Sequence, residues 1–273
     1  FFSTPTPPTP ILSGLVGSEM CIRDRYVPLN YRLTDEEIMR LIERVKPAIL
    51  VTSDDRMNSF QNLEGLEVLD SSDLLSHGGE DESLENDWDM DPEEIAVLLF
   101  TSGTTGEPKA AMLRHKHLVS YILGSVEFAS ADEKEASLVC VPPYHIAGIA
   151  AILSSVYSGR HVVQLPNFSA EEWIRLVRKH QVTNAMVVPT MLKRIVECLE
   201  ETGATNAEMP HLASLAYGGG KMPLPVIEKA MALFPDTDFS NAYGLTETSS
   251  TISVLGPEAV SYTHLTLPTI CSV

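Results

Sequence analysis

Six short apolar runs constrain the fold more than any other feature of the chain: Ile95 to Phe100, Leu138 to Val141, Val162 to Leu165, Ala185 to Val188, Leu212 to Tyr217 and Phe239 to Tyr243. Between them lie amphipathic stretches such as Ala170 to Gln181 and Thr190 to Thr202, whose apolar positions recur at helical spacing. Strand and helix in alternation predict an α/β architecture with mainly parallel sheets, because a parallel neighbour is reached only through a crossover long enough to hold a helix. The same alternation begins upstream. Thr34 and Glu37 have the spacing of a capping box, Ile38, Leu41, Ile42 and Val45 follow on one helical face, and Pro47 stops the helix before the strand-like Ala48 to Thr52.

Composition narrows the function classes. With 37 acidic against 19 basic residues the formal charge is -18, which repels nucleic-acid phosphates and anionic membranes, and no run of Lys or Arg offsets it. No apolar run approaches the length of a membrane span, and the mildly apolar Ile11 to Ile22 lacks the basic flank of a secretory signal. Cys21, Cys140, Cys198 and Cys271 are far apart, with neither zinc nor disulfide spacing, so a reducing, cytoplasmic setting is expected. Residues 80–94 carry nine carboxylates without ligand periodicity and read as a solvated surface connection.

The two ends differ in character from everything between them. Residues 1–25 and 260–273 allow a plain reading as a Pro-rich linker and a frayed tail. The strings GSEMCIRDR and VSYTHLTLPTICSV also resemble translated library adapter, so both ends are expected to be foreign and residues 26–259 to be the natural segment.

Directly after the first apolar run comes Thr101-Ser102-Gly103-Thr104-Thr105-Gly106-Glu107-Pro108-Lys109-Ala110. Glycines let backbone amides turn inward, hydroxyls add donors and lysine adds charge, so a strand, such a loop and a following helix form a general phosphate grip. Two residues, not four, separate the glycines and Pro108 precedes the lysine, which excludes the nucleoside-triphosphatase loop; the dinucleotide fingerprint is also missing. Taken alone, the stretch is equally an ordinary polar connection.

Residue by residue, however, the stretch resembles the phosphate-binding signature of the AMP-forming adenylating enzymes, which include acyl-CoA synthetases, luciferases and the adenylation domains of peptide synthetases. Only Ala110 departs, where glycine is usual. Three further motifs follow in that family's order. Val141-Pro142-Pro143-Tyr144-His145 has the form of its aromatic-His loop, and the resemblance puts His145 beside the carboxylate substrate. Gly218, Gly219 and Gly220 match a Gly-rich turn that the family lays against adenine and the acyl pocket. Asn241-Ala242-Tyr243-Gly244-Leu245-Thr246-Glu247 is similar to its Tyr-Gly-x-Thr-Glu signature, which assigns Tyr243 to adenine, Thr246 to the α-phosphate, and Glu247, with Thr101, to magnesium. Each motif also has a bland reading: His145 as a capping or core histidine, the glycines as a tight turn before a helix near Pro223. His115 and His117 read as surface residues at a helix start and Lys221 as a solvated lysine.

The resemblance implies an incomplete large N-terminal domain, over 26–259, of an enzyme that joins a hydrophobic carboxylic acid to ATP, releases pyrophosphate and transfers the acyl group to CoA. Lys109, His145, Thr246 and Glu247 are the implied catalytic residues, and ATP, Mg²⁺ and CoA the implied small molecules. The family's small C-terminal domain, which brings a further lysine, is not in this sequence, so the 273-residue chain is expected to adenylate little or not at all. A peptide-synthetase adenylation domain is the runner-up, disfavoured because Ala147 to Leu153 holds no acid for a substrate amine. A non-catalytic nucleotide-binding domain is the reading from a different class.

Overall fold

A computed structural model describes residues 2–3, 25–73, 91–101 and 107–265. The chain divides into two compact units, Phe1–Val119 and Ser120–Val273.

In the first unit, strand β1 (Phe2–Ser3) pairs antiparallel with β2 (Ala48–Thr52), and β2 pairs in parallel with β3 (Leu66–Asp70). Helix α1 (Asp35–Ile42) starts at the expected box: the Thr34 hydroxyl accepts from the Glu37 amide at 3.3 Å and the Glu37 carboxylate accepts from the Thr34 amide at 2.9 Å. Its buried face, Ile38, Leu41 and Ile42, is the one predicted, and Val45 is buried beyond the helix end. Helix α2 (Asp54–Phe60) closes the crossover to β3 and contributes Phe60 to a core with Val27, Ile38, Ile42 and Leu50. Strands β4 (Ile95–Thr101) and β5 (Lys109–Arg114) form an antiparallel hairpin, and Leu98 and Phe100 pack on that core.

Helix α3 (His115–Ser125) crosses the boundary between the units. The second unit then alternates strand and helix: β6 (Ala136–Val139), α4 (Ile146–Ser158), β7 (His161–Gln164), α5 (Ala170–Lys179), β8 (Asn184–Val187), α6 (Pro189–Glu201), β9 (Ser214–Gly218), α7 (Leu224–Leu233), β10 (Asp238–Leu245), β11 (Ser250–Leu255) and α8 (Pro257–Leu265). The sheet order is β11-β10-β9-β8-β6-β7, parallel throughout except for β11, which folds back antiparallel on β10. This is the α/β architecture that the apolar runs predict, and each run falls on its strand to within about two residues, the usual uncertainty of an element boundary.

Amphipathic helices cover the sheet. In α5 the Ser169 hydroxyl accepts from the Glu172 amide at 3.1 Å, acids fill the first turn and bases the last, and Trp173, Ile174, Leu176 and Val177 are buried. Trp173 and Tyr217, with no exposed surface, are the largest side chains of a core that includes Leu138, Leu192, Ile195 and Leu215. Helix α8 runs across position 260, and Val260 is buried in this same core.

The winding positions the site. From β6 the chain crosses to β7 on one side, then returns to place β8 on the other side of β6 and continues outward through β9 to β10. Open α/β sheets bind ligands outside the carboxyl ends of their strands where the order reverses in this way, because neighbouring loops there leave in opposite directions and open a crevice. Among the described residues no helix is long and apolar enough to cross a membrane.

Candidate functional site

Thr101 and Lys109 are cross-strand partners at the loop end of the β4–β5 hairpin, where the Thr101 hydroxyl donates to the Lys109 carbonyl at 3.3 Å. Ser102, Gly103, Thr104, Thr105 and Gly106, all expected to bind phosphate, lie outside the described residues. The expectation that this loop feeds a helix is corrected. Lys109 to Arg114 is a strand in which Ala111 and Leu113 are buried while Lys109 and Met112 face solvent, and α3 begins only after it. That period-two burial overrides the helical reading, and it removes a helix N-terminus from the phosphate argument. Any grip here rests on loop amides, hydroxyls and the Lys109 ammonium, which is exposed and has no ion pair among the described residues.

A residue that sequence reasoning missed braces this hairpin. The Arg44 guanidinium lies over the Phe100 ring, 5.2 Å from its centroid, and donates to the Pro108 carbonyl next to Lys109. Arg44 is 64 positions away from Pro108, so nothing in the local pattern signals it. His117 accepts from the Arg114 amide at 3.2 Å and so serves the start of α3, in line with its bland reading. No cluster of potential metal ligands occurs among the described residues.

The other expected site residues stand at the carboxyl edge of the second unit's sheet. After β6 the chain makes a turn closed by the His145 amide donating to the Pro142 carbonyl at 3.0 Å. His145 occupies the cap position of α4, but its side chain makes no capping bond; the ring is exposed and packs tilted against Tyr144 with centroids 4.7 Å apart. On the neighbouring strand, the half-buried Met186, Val188 and Met191 stand at the end of β8 and the start of α6.

The three glycines at the end of β9 are there for different reasons. A Cβ on Gly218 would meet the Ala242 carbonyl oxygen of β10 at 2.3 Å, so strand packing requires glycine. Gly219 has φ +78, the left-handed region that glycine enters without penalty. Gly220 needs neither: the nearest atoms to a Cβ would be Pro189 Cγ and Cδ at 3.8 and 4.0 Å. Among the described residues nothing packs tightly against Gly220, so its backbone stands open.

On β10, Asn241 and Ala242 pair with Tyr217 and Gly218, and Gly244 lies against the Ser250 carbonyl of β11. Tyr243 is 61% exposed, which leaves its ring face available. A single 3₁₀ turn, Thr246–Thr248, joins β10 to β11, and the Thr248 hydroxyl accepts from the Leu245 amide at 2.9 Å. Thr248 thus folds the turn and leaves Thr246 and Glu247 at its tip, with no hydrogen bond or ion pair for either side chain among the described residues. An unpaired carboxylate is an oxygen donor of the kind magnesium takes, so Glu247 fits the metal that the resemblance implies. Tyr217, by contrast, is buried and its phenol is pushed up to about 12, which removes it from acid-base chemistry near neutrality.

A parallel sheet that reverses its winding, with an imidazole, a glycine turn, an aromatic face and a carboxylate along that edge, has the form of an α/β domain with a ligand crevice at its carboxyl edge. The profile of the AMP-binding enzyme family matches residues 24–271, and the chain belongs to that family. A 2-succinylbenzoate–CoA ligase of Bacillus pumilus is 33% identical over 254 residues, covering 91% of this chain and 49% of that protein. A fatty acid–[acyl-carrier-protein] ligase of Streptomyces coeruleorubidus is 28% identical over 245 residues, 85% of this chain and 46% of that protein. Among solved structures, o-succinylbenzoate CoA synthetase of Bacillus subtilis with its acyl-adenylate intermediate superposes with a TM-score of 0.76 at 27% identity, over 91% of this chain and 49% of that one. The same enzyme with ATP and magnesium ion gives a TM-score of 0.73 at 26% identity. The chain spans about half the length of the relatives it matches.

Proposed function

We propose that this chain is part of an ATP-dependent ligase that adenylates a hydrophobic carboxylic acid, releases pyrophosphate and passes the acyl group to the thiol of CoA. The observation that carries the proposal is the convergence of His145, Gly220, Tyr243, Thr246 and Glu247 on the carboxyl ends of β6, β9 and β10. Relatives whose names state CoA and acyl-carrier ligation, and a similar structure holding an acyl-adenylate, support it. The half-buried, uncharged Met186, Val188 and Met191 favour an apolar acid.

Each group then has a defined task. Tyr243 offers a face for adenine and Gly220 lets a flat ring approach the backbone. Thr246 donates to the α-phosphate, and His145 orients the acid beside it. Lys109 and the loop amides from Ser102 to Gly106 serve the pyrophosphate. Glu247 is the proposed magnesium ligand of the second unit, and the metal, when bound, would supply neutralisation of phosphate charge. Attack of a carboxylate on a phosphate brings like charges together, so rate enhancement comes chiefly from orientation and charge neutralisation.

Calorimetric titration with Mg²⁺-ATP tests the proposal. Glu247→Gln and Lys109→Ala should each weaken binding on the order of tenfold or more, the scale of a lost charge-assisted contact. Absence of Mg²⁺-dependent binding by the parent chain would defeat it.

A further inference from the structure

We propose that Gly148 is a positioning residue for His145: lacking a side chain, it lets the Val141 to His145 turn lie directly on the first turn of α4 and so fixes where the imidazole stands. The inference rests on the reading of this edge as the acid-activating site. A Cβ on Gly148 would lie 2.5 Å from the carbonyl oxygens of both Val141 and Pro142 and 2.8 Å from the Pro142 carbonyl carbon. All three contacts are backbone, so no side-chain rotation relieves them.

Local preference argues the other way. Gly148 sits inside α4 among Ala147, Ala150 and Ala151, where alanine is the best helix former and glycine the worst short of proline. Its backbone angles do not demand glycine either, since it is not among the positive-φ residues. Space alone requires it. The Gly148 amide donates to the His145 carbonyl at 2.9 Å and the His145 amide to the Pro142 carbonyl at 3.0 Å, so the turn and the helix start form one hydrogen-bonded unit. Upstream, the Cys140 thiol donates to the Met186 carbonyl at 3.3 Å and ties the end of β6 to β8. The turn is thus held at both ends, with Pro142 and Pro143 stiffening the middle.

The test compares the chain with Gly148→Ala and with a control, Gly124→Ala, where an added Cβ meets nothing within 4 Å. Histidine ring ¹H–¹³C spectra are recorded, with the His145 peak assigned from His145→Gln, and affinities for AMP and for benzoyl sulfamoyl adenosine are measured by calorimetry. Gly148→Ala should move the His145 peak and weaken the acyl analogue on the order of tenfold while AMP affinity changes less than about twofold, as expected for a displaced orienting group. Gly124→Ala should leave the peak and both affinities unchanged. An unmoved His145 peak in Gly148→Ala overturns the proposal. If that variant does not fold, Pro142→Gly, which loosens the same turn without adding an atom, must move the peak, and an unmoved peak again overturns it. If the parent chain binds neither compound, the acid-activating reading fails, and the peak comparison alone then decides the positioning role.

Discussion

Two glycines at the end of β9 and in the turn that follows, Gly218 and Gly220, should respond to alanine in opposite ways. In Gly218→Ala the new methyl would sit 2.3 Å from the Ala242 carbonyl oxygen, more than an ångström inside an ordinary contact and against backbone of the neighbouring strand. Overpacking of this kind costs about 1–3 kcal/mol. For a unit of roughly 150 residues each kcal/mol moves Tm by about 2–4 °C, so a fall of about 2–12 °C is expected. In Gly220→Ala the methyl meets only Pro189 carbons, at 3.8 and 4.0 Å, and φ is not positive. Its stability should be unchanged or rise by about 0.4–1 kcal/mol through the lower entropy of the unfolded chain. Its affinity for AMP should nonetheless fall about tenfold, equivalent to about 1.4 kcal/mol, because the methyl stands where the ligand approaches. Thermal unfolding and calorimetric AMP titration of both variants provide the readout. If Gly220→Ala melts as early as Gly218→Ala and binds AMP like the parent chain, the assignment of Gly220 to a ligand is wrong.

Two further outcomes follow from the second unit's core. Burial pushes the Cys140 thiol from 9.0 to about 12 and the Tyr217 phenol to about 12. Both folded-state values are raised, so their contribution to stability is fully present below about pH 9 and is lost as pH rises toward 12, at up to about 1.4 kcal/mol per pH unit per group. Urea unfolding from pH 7 to 11 should therefore show stability from these groups flat to about pH 9 and falling above it, with a shallower fall in Tyr217→Phe. Trp173→Ala, which empties a fully buried site against Phe234, should cost about 3–5 kcal/mol in the same assay; a loss below about 1 kcal/mol would show that this core is not close-packed.

Much of this architecture was legible because strand burial and strand composition coincide. The run at Leu138 is buried on both faces of the parallel sheet, and those at Val162, Ala185 and Leu212 alternate buried positions with more exposed ones while staying mostly apolar, so all four read as strand segments. The β5 strand escaped because Lys109-Ala110-Ala111-Met112-Leu113-Arg114 is half-exposed and rich in good helix formers, and only its pairing with β4 settles its conformation. β11 escaped for a similar reason: Ile252 and Val254 are exposed on an edge strand, and its pairing with β10 is a long-range fact. For the site, motif resemblance supplied the residues and the fold supplied their reasons. Gly218 and Gly220 are indistinguishable as letters, yet one faces a neighbouring carbonyl and the other open space. Arg44 carried no signal at all, because its partners Phe100 and Pro108 are distant in sequence.

Where nucleotide binds is read most directly from an amide and ring chemical-shift map of the isotope-labelled chain titrated with AMP. The largest shifts are expected in the second unit at His145, Gly218 to Gly220 and Tyr243 to Glu247, all at the carboxyl ends of the parallel strands. Shifts centred instead on Asn206 to Pro210 and Pro235 to Thr237, at the opposite end of the same sheet, or the absence of any shift, would contradict the proposed site.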